Sequence, residues 1–226
     1  MKRKLTKEEI AMRIAMDIPE GSYVNLGIGV PTLVAKYIPA DREVIVHSEN
    51  GILGVGAPAT GNEIDNDIID ASKVPVTLVK GAALLDHVMS FGFIVGHHLD
   101  LTVLGALQVS ERGDIANWQV PGDAVPGVGG AMDLCSGARR VVVAMTHTDR
   151  DGRPKILNNC TFPLTAKGKV RAIYTDLAVI DVKSDGLHLR EIAPGWTVEE
   201  VQALTEAPLR HQGMVPAVNL ESGVAA

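Results

Sequence analysis

The sequence predicts an α/β fold, a single domain with a central, mostly parallel sheet flanked by helices. Three observations carry this. Hydrophobic residues make up 46% of the 226 positions while aromatics make up only 4%. The core must therefore be Val, Ile, Leu and Ala, as in sheets buried on both faces. Short apolar runs rich in β-branched residues recur, bounded by Gly, Pro, Asn and Asp, the mark of strands feeding turns. Between them lie helix signals with readable caps.

In chain order, Thr6-Lys7-Glu8-Glu9 is a capping box ahead of Ile10, Ile14 and Ile18, one helical stripe that Gly21 ends. Tyr23 to Leu26 reads as a strand and Gly27 to Gly29 as its turn. Pro31 suits the first turn of a helix towards Tyr37. Val44 to Val46 is a short buried strand. It ends in Ser48-Glu49-Asn50-Gly51, a tight turn because Asn and Gly tolerate positive φ. Gly54 and Gly56 follow, so this backbone is expected to be bare enough for another molecule to approach. Ala57 to Asp70 reads as an acidic loop, Val74 to Val79 as a strand, Ala82 to Phe93 as a helix and Leu99 to Leu104 as a strand. A loop rich in Pro and Gly leads to Asp133. Arg140 to Met145, Val170 to Tyr174 and Leu177 to Val182 are strands, and Asp185-Gly186 signals a hairpin. Thr197-Val198-Glu199-Glu200 is a second capping box, opening a last helix to about Glu206. No repeat or linker divides the chain. The expected organisation is one domain over 1–210 and a loose tail over 211–226.

The formal net charge is -6 with no dense basic run, which argues against a nucleic-acid partner. No apolar run approaches the roughly 20 residues of a membrane span, and no signal-peptide core follows Lys2-Arg3-Lys4. The expected location is the cytoplasm, away from membranes. Cys135 and Cys160 lie far apart without C-x-x-C spacing, so neither a disulfide framework nor a zinc site is expected. His97 and His98 are adjacent and must point in different directions. Glu63, Asp65, Asp67 and Asp70 lack the spacing of a calcium loop. No metal is expected.

Three places could carry chemistry. Glu49, held at the end of a strand, suits a nucleophile or base at the carboxyl edge of a sheet; the competing reading is a solvated turn residue. Gly27-Ile28-Gly29 ahead of a helix is ready for an anion. The full dinucleotide pattern is absent, however, and tight packing competes. Gly127, Gly129 and Gly130 leave main-chain N–H groups bare, a nest for an anion or oxyanion. There a flexible surface loop competes.

Five stretches occur in order: Asn25-Leu-Gly-Ile-Gly29, Ser48-Glu-Asn-Gly51, Gly113-Asp-Ile-Ala-Asn-Trp118, Gly129-Gly-Ala-Met-Asp133 and Tyr174-Thr-Asp-Leu-Ala178. In combination they resemble the B subunit of the class I CoA-transferases, the 3-oxoacid and 3-oxoadipate CoA-transferases, over residues 5–207. The resemblance implies the class I CoA-transferase fold. It also implies transfer of CoA from a donor such as succinyl-CoA to a 3-oxoacid, acetoacetate or 3-oxoadipate, through a glutamyl-CoA thioester on Glu49. It makes Gly130 an oxyanion donor. Asn25, Gly27, Gly29, Lys73, Gly129 and Met132 would lie along substrate or CoA. No cofactor is implied, since CoA is itself a substrate. The implied partner is a separate A subunit, two copies of each chain forming a heterotetramer. The family often has Ile-Arg-Gly-Gly-His where this chain has Ile94-Val-Gly-His-His98, so Val95 and His97 are departures. An acyl-CoA hydrolase on the same scaffold is the nearest alternative, and a non-catalytic metabolite-binding protein a more distant one.

Overall fold

The computed structural model describes residues 2–39, 41–122, 127 and 129–220. The chain begins with α1 (Lys7–Met16), β1 (Ser22–Leu26), α2 (Val30–Leu33), β2 (Val44–Ser48), β3 (Ile52–Pro58), β4 (Val76–Leu84), α3 (His87–Val95) and β5 (Leu101–Leu104). It continues with β6 (Gln108–Ser110), β7 (Ile115–Ala116), α4 (Ala131–Gly137), β8 (Arg140–Ala144), β9 (Ile156–Leu157) and β10 (Val170–Tyr174). The last elements are β11 (Ala178–Lys183), β12 (Gly186–Ile192), α5 (Val198–Ala203) and β13 (Leu209–Arg210). Both capping boxes form. Thr6 and Glu9 exchange side-chain bonds with each other's N–H at the start of α1, and Thr197 and Glu200 do the same at α5.

Ten strands form one sheet in the order β13-β12-β11-β10-β8-β5-β1-β2-β3-β4. Its centre, β10-β8-β5-β1-β2, is parallel throughout. These are the strands that read as continuous apolar runs, and helices cover both their faces. Ile10, Ala11 and Ile14 of α1 pack on one face with Val24, Val103 and Val142. Ile94 of α3 and Leu134 of α4 pack on the other with Leu104, Val141 and Val143. Antiparallel strands flank this centre, β11 and β12 on one side and β3 and β4 on the other, and β13 adds to β12 in parallel. The chain runs from β1 outwards to β2 and returns to place β5 on β1's other side. That reversal of strand order falls at the carboxyl ends of β1 and β2, the place where open α/β sheets bind ligands.

Two expectations are corrected. Ala82 to Leu84 is not helical: Ala83 and Leu84 pair with Leu53 and Ile52 as the end of β4. The helix begins only at His87, after Asp86 caps it by accepting from the Met89 N–H. Helix-favouring Ala and Leu are overridden there by a neighbouring strand. Gly54 and Gly56 do not open the backbone to a ligand but admit the chain's own β4. A Cβ at Gly54 would lie 2.9 Å from Ala82 and Val79, and one at Gly56 would lie 2.5 Å from the Thr77 hydroxyl. The stretch before Trp118 also contains a strand, β7, in a small second sheet ordered β7-β6-β9.

Past β13 the chain docks again, with Val218 buried and its N–H donating to the Ile192 carbonyl. The last part of the expected loose tail, 221–226, lies outside the described residues. Among the described residues, no helix is long and apolar enough to cross a membrane.

Candidate active site

β2 and β3 form a hairpin with Ser48 paired to Ile52, so Glu49, Asn50 and Gly51 make the loop. Gly51 takes φ +123° and its N–H closes the turn on the Ser48 carbonyl at 3.0 Å. Such a conformation favours glycine. Glycine is also demanded by space, because a Cβ there would sit 2.2 Å from the Leu85 carbonyl oxygen.

Every residue of the turn is tied to a different segment. The Ser48 hydroxyl accepts from the Ala71 N–H at 2.9 Å. The Glu49 carbonyl accepts from the Ser90 hydroxyl at 2.8 Å. The Asn50 amide donates to the Ile69 carbonyl at 2.7 Å, and the Gly51 carbonyl accepts from the Leu85 N–H at 2.7 Å. The Glu49 carboxylate alone is left over, without a hydrogen bond or ion pair among the described residues. It is partly buried, and desolvation raises its pKa above the ordinary carboxylate value. A desolvated carboxylate of raised basicity is a stronger nucleophile than one in water.

Gly130 faces it. A Cβ built on Gly130 would lie 3.3 Å from the Glu49 carboxyl carbon, 3.3 Å from its oxygen and 3.3 Å from Phe91 of α3. Gly130 has φ −82°, open to any residue, so the demand for glycine here is purely steric. Its carbonyl accepts from Leu134 as the N-cap of α4, and its N–H has no hydrogen bond among the described residues. The rest of the expected nest is only partly described: residues 126 and 128 lie outside the described set, and Gly129 is exposed at φ +63°.

The other candidate residues are distributed around this turn. Gly27 and Gly29 lie at the end of β1, beside β2. A Cβ at Gly27 would meet the Val103 carbonyl oxygen at 3.1 Å, whereas Gly29 is exposed with open space around it. Asn25 is fully buried, its amide bonded to His47 and Thr102 rather than turned to solvent. Lys73 is exposed, in a turn whose Ala71 anchors Ser48. Met132 is partly buried in the first turn of α4. His97 Nδ1 bonds to the Gly137 carbonyl and His98 packs on Phe93, so the two rings diverge. His97 occupies φ +61°, a left-handed position that suits the glycine of the resembled family.

Two of the five resembling stretches make framework bonds. Tyr174 to Ala178 lies at the end of β10, four strands from β2, or roughly 19 Å at about 4.8 Å per strand. Asp176 there accepts from the His147 N–H and pairs with Lys4. In the other, Asn117 bonds to the Gly105 carbonyl at the end of β5. Sequence reading missed Ser90, His47 and Phe91. For His47 and Asn25 a signal existed, since each is a polar residue inside an otherwise apolar parallel strand. Ser90 had none.

A cavity of about 450 Å³, lined by Leu33, Val44, Val46, Val55 and Val76, lies beside Ser48 but does not include Glu49. Lys36, Arg42 and Asp70 also line it, but a cavity without the Glu49 carboxylate is a poorer candidate for the chemistry than the place where Glu49 and Gly130 meet.

Residues 7–204 match the family model described as coenzyme A transferase. The chain is 50% identical over 207 residues to the B subunit of the 3-oxoadipate CoA-transferase of Acinetobacter baylyi, covering 91% of this chain and 95% of that one. It is 47% identical over 201 residues to the beta chain of the acetate CoA-transferase of Escherichia coli, covering 89% and 92%. In fold it resembles an acyl-CoA transferase of Escherichia coli O157:H7, with a TM-score of 0.76 at 20% identity. That match covers 98% of this chain but only 45% of the solved one, so the chain spans less than half the length of that neighbour. By the extent of the family match and by the identity of these relatives, this chain belongs to the coenzyme A transferase family.

Proposed function

We propose that the chain is the B subunit of an acyl-CoA:carboxylate CoA-transferase and that Glu49 carries CoA covalently. The observation that carries this reading is the Glu49 turn. The turn is held at four points, two of them through its main chain, while the Glu49 carboxylate stands free against bare Gly130.

A Glu49 oxygen attacks the thioester carbonyl of acyl-CoA, forming an acyl-glutamyl anhydride as CoA thiolate leaves. The thiolate attacks the glutamyl carbonyl, giving a Glu49–CoA thioester and releasing the donor's carboxylate. The acceptor carboxylate repeats these steps in reverse. Thioester is exchanged for thioester with no net proton or electron, so CoA enters as substrate and no redox or metal group is needed. Each addition places negative charge on a former carbonyl oxygen. The Gly130 N–H is the donor in this chain suited to receive it.

The partner in this proposal is an A subunit, two of each chain forming the complex. Leu84, Val88 and Met89 support it: large apolar side chains exposed by 61%, 78% and 59% beside the Glu49 turn. β4 is also the last strand of the sheet on that side among the described residues. Exposed apolar surface next to an open edge strand calls for a cover. The acceptor acid in this reading is a 3-oxoacid, as in the name of the Acinetobacter relative. Acetate is the alternative to assay.

The test uses this chain assembled with its A-subunit partner and an acyl-CoA, without acceptor acid. CoA should accumulate on Glu49, be found there by mass spectrometry and be trapped by borohydride. Glu49→Gln should lose at least about 10³-fold in transfer. Since the carboxylate must be ionised, transfer should fall on acidification at a pH above the ordinary carboxylate value. Normal transfer by Glu49→Gln would end the proposal, and CoA release to water without exchange would make the protein a hydrolase.

A further inference from the structure

Behind the Glu49 turn lies a row of polar side chains that the chemistry above does not use. Thr102, Asn25 and His47 stand on β5, β1 and β2 at one register level, Thr102 beside Asn25 and Asn25 beside His47. Each is fully buried or nearly so, at 0%, 1% and 1% exposure. The Thr102 hydroxyl donates to the Asn25 amide oxygen at 3.4 Å. The Asn25 amide nitrogen lies 3.3 Å from both His47 Nδ1 and the His47 carbonyl. His47 Nε2 lies 3.1 Å from the Ser90 hydroxyl, which is wholly buried in α3. Ser90 in turn donates to the Glu49 carbonyl at 2.8 Å.

Proton counting fixes the direction of this row. The Ser90 hydroxyl has one hydrogen, and the Glu49 carbonyl can only accept. Ser90 must therefore accept from His47, which places the ring proton on Nε2 and leaves Nδ1 as an acceptor for Asn25. Every bond runs the same way, Thr102 to Asn25 to His47 to Ser90 to the Glu49 main chain. Burial supports this assignment, since desolvation holds the ring neutral with its pKa pushed down to about 4. Phe93 stacks on the ring at 5.5 Å.

We propose that this row positions the catalytic turn, with Ser90 and His47 as positioning residues that fix the Glu49 backbone so that its carboxylate meets Gly130. A buried polar row across apolar strands is costly unless every member is satisfied. Here its last bond acts on the one residue of the turn whose side chain is free. A rigid sheet supplies three of the four members, so the carbonyl of Glu49 is referenced to the stiffest part of the fold. The inference rests on the reading of Glu49 as nucleophile.

The experiment measures formation of the CoA thioester on Glu49 in the assembled enzyme, alongside equilibrium binding of free CoA. Ser90→Ala and His47→Leu should each slow thioester formation about 10- to 100-fold, as expected for small misplacement of a reacting group. CoA binding should change less than about threefold, because neither residue touches the nucleotide in this reading. The double variant should be no slower than the worse single one, since both break the same row. His47→Gln keeps a donor and an acceptor and should recover to within about fivefold of the parent. Thioester formation at the parental rate in folded Ser90→Ala overturns the proposal. So do losses that multiply in the double variant, or a His47→Gln enzyme as slow as the His47→Leu enzyme. Should Ser90→Ala fail to fold, the two His47 variants decide. Glu49→Gln is run in parallel. If it transfers CoA, the nucleophile assignment has failed; if it is dead while Ser90→Ala is unimpaired, only the positioning row has failed.

Discussion

Two regions of the sheet each hide a histidine, and they put it to different uses. His47 lies near the end of β2, and His147 follows β8. Both rings are buried, and burial pushes both down to about 4. Each is gripped by at least one hydroxyl. His147 lies 2.9 Å from Thr175 and 2.8 Å from Thr205. Beyond these hydroxyls its network holds only framework: Thr205 donates to Val201 near the end of α5, and Thr175 bonds within the turn before β11. The network of His47 ends instead on the main chain of Glu49. A buried neutral histidine is thus the same strut in both places. What the last bond of the network holds decides whether it serves stability or function.

The contrast is sharpened most by Gly130→Val, which acts on the functional region alone. A Cβ there already presses on the Glu49 carboxyl at 3.3 Å, and φ −82° puts no strain on the variant backbone. Thioester formation should fall at least about 10²–10³-fold, about 3–4 kcal/mol, with little loss of melting temperature. A folded Gly130→Val enzyme working at the parental rate would detach Gly130 from the site.

His147→Leu is the counterpart in the framework region. It removes two buried hydrogen bonds and should lower stability by about 2–3 kcal/mol at neutral pH, read by chemical denaturation. Thioester formation per folded molecule should hold. If activity collapses while stability is retained, the two histidines do not divide as argued.

A smaller effect separates them by pH. An unfolded histidine takes up its proton near 6.5, whereas the buried rings resist until about 4. Between those values the unfolded chain binds more protons than the native one. Stability therefore falls as pH drops from 6.5 towards 4, by at most about 1.4 kcal/mol per pH unit for each ring, and levels off from this source below 4. For His147 the dominant cause is desolvation, with Asp176 opposing it and Lys4 and Lys155 reinforcing it. The His147→Leu variant loses that slope. Its stability gap from the parent should narrow on acidification, and a constant gap from about pH 7 to about 4.5 would show that His147 is not neutral in the native state.

The structural side of this division was the more legible in the sequence. Periodicity and caps are local, so Thr6, Thr197, Ile10 and Ile14 of α1 and the Val-rich parallel strands could be read from neighbours along the chain, whereas Ile18, expected in the same helical stripe, lies past the Asp17 cap that ends the helix. The strand-and-turn around Glu49 was equally local, and its resemblance to a family followed from short motifs. What the sequence alone determined was therefore the α/β class, the main strands and the carboxylate at a strand end. Tertiary structure decided the rest. Gly54 and Gly56 look like an open loop until β4 is laid against them. Ala82 to Leu84 looks helical until β3 pairs with it. Ser90 stands 41 residues from the carbonyl it holds, and nothing near it in the chain marks it. These are contacts between distant segments, whose geometry exists only once the sheet has assembled. Local signals fix which elements form; the close approach of one element to another fixes which residues act.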